Sequence, residues 1–200
     1  MKRKILFTII IVIAAALIAL ALTKPDRSAH YDAVRTLHCE NNDLTELDVL
    51  NNTALIYLDC FNNKLTKLNF TKNTALVQLD FERNQDTSID LSNNISLEEL
   101  YCSDNKLTKL ILSKNSALNM LYCYRNNISG QNMDDLIGSL PQNDTSTLFG
   151  FFVIDFSEGA EKEGNVITKS QVEAAKAIGW KPLQWDNTAY NWVDYPGSDD

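Results

Sequence analysis

Leu55-Ile56-Tyr57-Leu58-Asp59-Cys60-Phe61-Asn62-Asn63-Lys64-Leu65 decides the fold, because the chain repeats it. Leu58 recurs as Leu37, Leu79, Leu100 and Leu121, always twenty-one residues apart. Cys60 recurs as Cys39, Phe81, Cys102 and Cys123, and Asn63 as Asn42, Asn84, Asn105 and Asn126. Leu65 belongs with Leu44, Leu107 and Ile128, a column in which Asp86 is the one misfit. Leu47, Leu68, Ile89 and Leu110 form a fifth column, and Leu55, Leu76, Leu97 and Leu118 a sixth. One column could arise by chance, but six in phase define a structural repeat.

The spacing within each repeat dictates its geometry. Leu37-His38-Cys39 and its counterparts alternate in, out, in, which is strand periodicity. Each turn of chain supplies one short strand, and successive turns stack as parallel strands about 4.8 Å apart. No single turn can bury its apolar face, so the stack builds one shared interior. Where the chain bends out of each strand, backbone groups point inward and need partners. An Asn amide both donates and accepts, so stacked Asn residues can bridge those groups from turn to turn. Replacing Asn42 with Leu is therefore expected to cost more than an ordinary apolar swap, because buried backbone groups lose partners.

The four cysteines share one inward column, where a free thiol serves as a small hydrophobe. Parallel side chains in a ladder do not readily take the torsion near 90° that a disulfide requires. Zinc sites gather cysteines spaced C-x₂₋₄-C at one point, whereas a spacing of twenty-one spreads them along a line. Four buried thiols are expected, with no metal and no cofactor.

The core pattern of Leu55 to Leu65 resembles L-x-x-L-x-C/L-x-x-N-x-L of leucine-rich repeats. With the second segments Leu68-Asn69-Phe70 and Leu110-Ile111-Leu112, it is similar to the short repeats of bacterial surface proteins, internalin-like ones among them. The resemblance covers Val34 to about Pro141. It implies a leucine-rich-repeat solenoid of the α/β class, right-handed and curved. A parallel sheet would line its concave side, with mostly non-helical outer segments and short helices confined to a C-terminal cap.

Beyond Pro141 the period fails. Residues 142–195 are expected to cap the open interior, followed by an acidic tail, 196–200. Ser129 to Leu140 reads as a short helix with Met133, Leu136, Ile137 and Leu140 on one side. Thr147 to Asp155 reads as a strand that extends the sheet. Thr168-Lys169-Ser170-Gln171 has the form of a capping box, opening a helix that Gly179 closes. Trp180 and Trp185 are expected on a final strand. At the other end, Lys2, Arg3 and Lys4 precede an uncharged run from Ile5 to Thr23. Residues 1–23 are either an uncleaved transmembrane anchor, which the length favours, or a signal peptide cut near Ala19-Leu20-Ala21. The positive flank keeps the N-terminus inside and exports the rest to the cell envelope through a linker, 24–33. Membrane contact is expected through this segment only.

The formal net charge is −8, and −11 without the three leading basic residues. Nucleic acid, whose phosphates need Lys and Arg, is disfavoured. No G-x-S-x-G, H-E-x-x-H or glycine-rich phosphate loop occurs, and there are only two histidines, so an enzyme is not expected. The outward residues form three columns. Thr36, Tyr57, Gln78, Glu99 and Met120 make the first; His38, Asp59, Asp80, Tyr101 and Tyr122 the second; Glu40, Phe61, Glu82, Ser103 and Tyr124 the third. Exposed aromatics in a group mark recognition surfaces. Tyr57, Asp59, Phe61, Asp80, Tyr101, Tyr122 and Tyr124 are accordingly the candidate binding residues for a protein or glycan partner. A structural envelope component without a specific ligand is the alternative. Asp59 with Asp80, or the acidic loop carrying Asp155, Glu158, Glu161 and Glu163, could attract Ca²⁺, but plain solvated carboxylates are favoured at both.

Overall fold

The computed structural model describes residues 34–143, 149–155 and 163–199. The apolar N-terminal run, the linker after it, the start of the strand expected from Thr147, and Glu158 and Glu161 lie outside these residues. Among the described residues no helix is long and apolar enough to cross a membrane.

Five three-residue strands come first: β1 (Thr36–His38), β2 (Tyr57–Asp59), β3 (Gln78–Asp80), β4 (Glu99–Tyr101) and β5 (Met120–Tyr122). Helix α1 (Gln131–Ser139), strand β6 (Phe149–Asp155), helix α2 (Lys169–Ala177) and strands β7 (Trp180–Asp186) and β8 (Asn191–Asp194) follow. All eight strands form one sheet in chain order. Neighbours are parallel from β1 to β7, and only the last pair is antiparallel. Register follows the repeat: Leu37, Leu58, Leu79, Leu100 and Leu121 lie opposite one another, and Phe151 of β6 continues the row. From Leu58 onward this row has no solvent exposure, whereas Leu37, at the end of the stack, is only partly buried. The structure is a leucine-rich-repeat solenoid with short outer segments and, among the described residues, two helices, both C-terminal to the repeats.

The Asn column does the work its chemistry suggests. The Asn84 amide nitrogen donates to the Cys60 and Phe81 carbonyls, each at 3.0 Å, and its Oδ1 accepts from Leu65 N–H at 3.0 Å. Asn63, Asn105 and Asn126 repeat the arrangement. Asn42 does not. It is exposed, and its amide nitrogen donates to the Glu40 carbonyl, because no earlier turn among the described residues offers it a strand to bridge. The cost expected at Asn42 therefore belongs to the inner rungs. A further rung lies beyond the repeats, where Asn165 donates to Cys123 and Val153 carbonyls and accepts from Ile128 N–H.

A second Asn ladder runs along the opposite bend. Asn73, Asn94 and Asn115 are fully buried, and each donates to two carbonyls of the preceding turn. Asp86, the misfit of its column, is also buried; its carboxylate accepts from Leu68 and Ser88 N–H in place of packing as a leucine would. Ahead of each Asn of the first ladder stands a residue in the left-handed backbone region: Asn62, Arg83, Asp104 and Arg125, with φ of 52, 52, 52 and 51°; Asn41, ahead of the exposed Asn42, shares it at 59°.

The four cysteines are buried and free. The Cys39, Cys60 and Cys102 thiols lie 3.4, 3.3 and 3.2 Å from the Asp59, Asp80 and Tyr122 carbonyl oxygens of the next strand, positions from which each donates a weak hydrogen bond. Burial pushes the Cys39 thiol up to about 12 and the other three well above their ordinary value, so no reactive thiolate forms.

After the repeats, α1 buries Met133, Leu136 and Ile137, and α2 opens with a complete capping box in which Thr168 and Gln171 bond reciprocally. Trp180 is fully buried, and its indole N–H donates to the Pro141 carbonyl at 2.8 Å. The strand carrying Trp180 and Trp185 is not the final one. After a turn at Asn187–Tyr190 the chain reverses into β8, which brings Trp192 opposite Trp185.

Candidate functional site

The outward side chains of β1 to β5 share one face of the sheet, since successive residues of a strand point to opposite sides. Register sets Tyr57 beside Gln78, Asp59 beside Asp80, and Tyr101 beside Tyr122. The third column follows, because Asn62 N–H donates to the Glu82 carbonyl and Asp104 N–H to that of Tyr124. The seven candidate residues thus occupy one continuous surface.

Its two ends differ in chemistry. Toward the C-terminus the surface is aromatic. Tyr101 stacks on Tyr122 with centroids 4.9 Å apart, and Tyr122 stacks on Phe152 of β6 at 3.8 Å. Trp192 of β8 leans on this row at 5.3 Å from Tyr124 and 5.0 Å from Phe152, and Trp185 packs behind it at 5.7 Å. Phe152 and Trp192 were not among the residues expected here. Phe152 was not legible from size, since Phe151 beside it is the same residue; it is the pairing of Phe151 with Leu121 that sends Phe152 out. Nor was Trp192, because a hairpin that folds back to the sheet leaves no periodic trace.

The centre and N-terminal end are acidic. Burial pushes the Asp80 carboxyl up to about 6, with Asp59 and Glu40 adding to the rise against the hydrogen bond from Glu82 N–H. Burial likewise pushes Glu82 up to about 7, assisted by Asp80. Both carboxylates are half-buried among the side chains of neighbouring rungs. Asp59 has one oxygen engaged, accepting from Phe61 N–H at 3.0 Å. Phe61 carries the Arg83 guanidinium at 5.3 Å from its ring centre, a cation–π contact. Tyr57 lies against His38 at 5.0 Å, and the Tyr101 hydroxyl donates to Glu99 at 2.8 Å. Burial first, and that hydrogen bond second, hold the Tyr101 phenol well above its usual range.

Asp155 and Glu163, read as members of a loop that could attract Ca²⁺, have structural partners instead. Arg125 bridges Asp104 and Asp155, and both Glu163 oxygens accept backbone N–H groups, from Arg125, Asp155 and Asn165. A cation at these positions would compete with a guanidinium already present.

No family model matches the chain, and no curated protein matches it. Solved structures do. An internalin (InlF) of Listeria monocytogenes superposes with a TM-score of 0.54 at 18% identity, over 78% of this chain and 50% of its own. A leucine-rich-repeat protein of Leptospira interrogans gives 0.53 at 20% identity, over 72% and 36%. The functional domain of Listeria InlJ, described as including a cysteine ladder, matches over 78% and 40% at 26% identity, with a TM-score of only 0.37. The fold is therefore the leucine-rich-repeat solenoid of the kind internalins carry. The chain spans half or less of the length of these three structures.

Proposed function

We propose that this chain is a non-enzymatic recognition module, held outside the cytoplasm, that binds a protein partner through the outer face of its sheet. The observation carrying this reading is the unbroken aromatic row from Tyr101 through Tyr122 to Phe152, flanked by Tyr124 and Trp192. Such rings supply large contact area at low entropic cost, and the acidic centre beside them adds charge selectivity. A protein fits better than a glycan. Both faces of Tyr122 are covered, by Tyr101 and Phe152, leaving edges and hydroxyls in place of the open ring face on which a sugar stacks. The likeness to an internalin agrees with a binding role but does not name the partner, because fold does not fix function.

A photocrosslinking residue at Tyr101 in intact cells tests the reading. With the crosslinker kept at position 101, replacing Tyr57, Phe61, Tyr122 and Tyr124 together with alanine should abolish capture of the partner. Undiminished capture would refute the assignment. The intact mass of the exported protein separates an uncleaved anchor from a removed signal peptide.

A further inference from the structure

We propose that His38, Glu40 and Asp59 form a binding site for one transition-metal ion of the zinc class, at the end of the face opposite the aromatic row. The repeat itself brings the three together. His38 of β1 lies directly across from Asp59 of β2, and Glu40 leaves β1 on the same side two residues later. One possible ligand atom from each lies within 4.8 Å of the others.

Three details point to a cation. First, His38 Nδ1 and Asp59 Oδ2 are 4.0 Å apart, too far for a hydrogen bond. Two ligands of a tetrahedral zinc ion lie roughly 3.3–3.5 Å apart, given bonds of about 2.0–2.1 Å, so this pair has to close by only about half an ångström to share one. Second, Asp59 is already aimed: its Oδ1 accepts from Phe61 N–H, which turns Oδ2 toward His38, the supporting role that outer-shell hydrogen bonds play at metal sites. Third, Glu40 Oε2 is shut off from solvent and has no hydrogen-bond partner. A buried carboxylate oxygen without a donor is costly, and a bound cation removes that cost. It also offsets the repulsion between Glu40 and Asp59.

The donor set selects the ion. One imidazole with two carboxylates suits zinc and its neighbours, whereas Ca²⁺ takes six to eight oxygens. The His38 side chain is 56% exposed, so remaining coordination positions fall to water. Cys39 lies between two of the ligands in sequence but points inward, and its thiol stays protonated, so it takes no part.

The experiment uses the full chain in detergent, stripped with chelator, then titrated with zinc by calorimetry and with cobalt by visible spectroscopy. One ion per chain is expected, with d–d bands and no thiolate charge-transfer band. H38Q, E40Q and D59N should each weaken binding by at least about tenfold while keeping, in chelator, the circular-dichroism spectrum and cooperative unfolding of the parent chain. An H30Q control should bind normally. No zinc binding, full binding by H38Q, loss in H30Q alone, a thiolate band, or calcium heat without zinc heat would each overturn the assignment.

Discussion

The repeats and the segment after them solve the same problem, closing an apolar interior, by different means. Between β1 and β5 each environment is made by the same residue one turn away, so Leu stacks on Leu and Asn bridges to the strand before it. After β5 nothing recurs. There the interior is closed by bulk, with Trp180 edge-on to Phe149 and Phe151, and by single contacts such as Arg125 between Asp104 and Asp155. Periodic packing spreads stability over many equivalent positions, whereas the closure concentrates it in a few.

The sharpest way to break this contrast is Trp180→Ala. It removes a fully buried ring and an indole bond, and should cost about 4 kcal/mol in a urea titration. Hydrogen exchange should show protection lost first in β6 and β7; uniform loss through β1 to β5 would deny that closure is concentrated. Next in size is Asn84→Leu, which removes the hydrogen bond of the buried Leu65 N–H and one of two from each of the Cys60 and Phe81 carbonyls, and should cost about 2 kcal/mol. Asn42→Leu, at the exposed end, should cost less than about 1 kcal/mol. Equal costs would mean that position in the period, and not neighbours, sets the energy.

The last effect, confined to high pH, concerns the acidic centre. Asp80 and Glu82 titrate higher in the folded chain than their ordinary values of 3.8 and 4.5, so the folded state binds more protons than the unfolded state. Their contribution to stability is present at about pH 4 and is lost as pH rises through about 6 to 7. Glu82→Gln should flatten this fall and raise the melting midpoint at pH 8 by a few degrees, corresponding to about 2 kcal/mol or less. An unchanged pH profile would show the Glu82 carboxylate to be hydrated.

Much of the molecule was legible before any coordinates. The six columns, the strand at Leu58, the inward thiols and the sharing of one face by Tyr57, Asp59 and Tyr101 all follow from a period of twenty-one. The second Asn ladder at Asn73, Asn94 and Asn115 obeys that period too, and was overlooked because the apolar columns drew the reading. The environment of Asn42 escaped for another reason: a period says which residues are equivalent, but not which of them stands at the end of the stack.

By itself, the sequence determined a repeating strand with one side dry, since apolar residues returning at a constant interval can be buried together only if turns stack in register. Only the tertiary structure decided that Trp192 returns to the aromatic row, that Arg125 joins Asp104 to Asp155, and that Asp80 and Glu82 lose much of their water. Those outcomes depend on which side chains meet across the fold, and a contact made once, such as Arg125 with Asp155 or Trp192 with Tyr124, leaves no periodic signal in the chain.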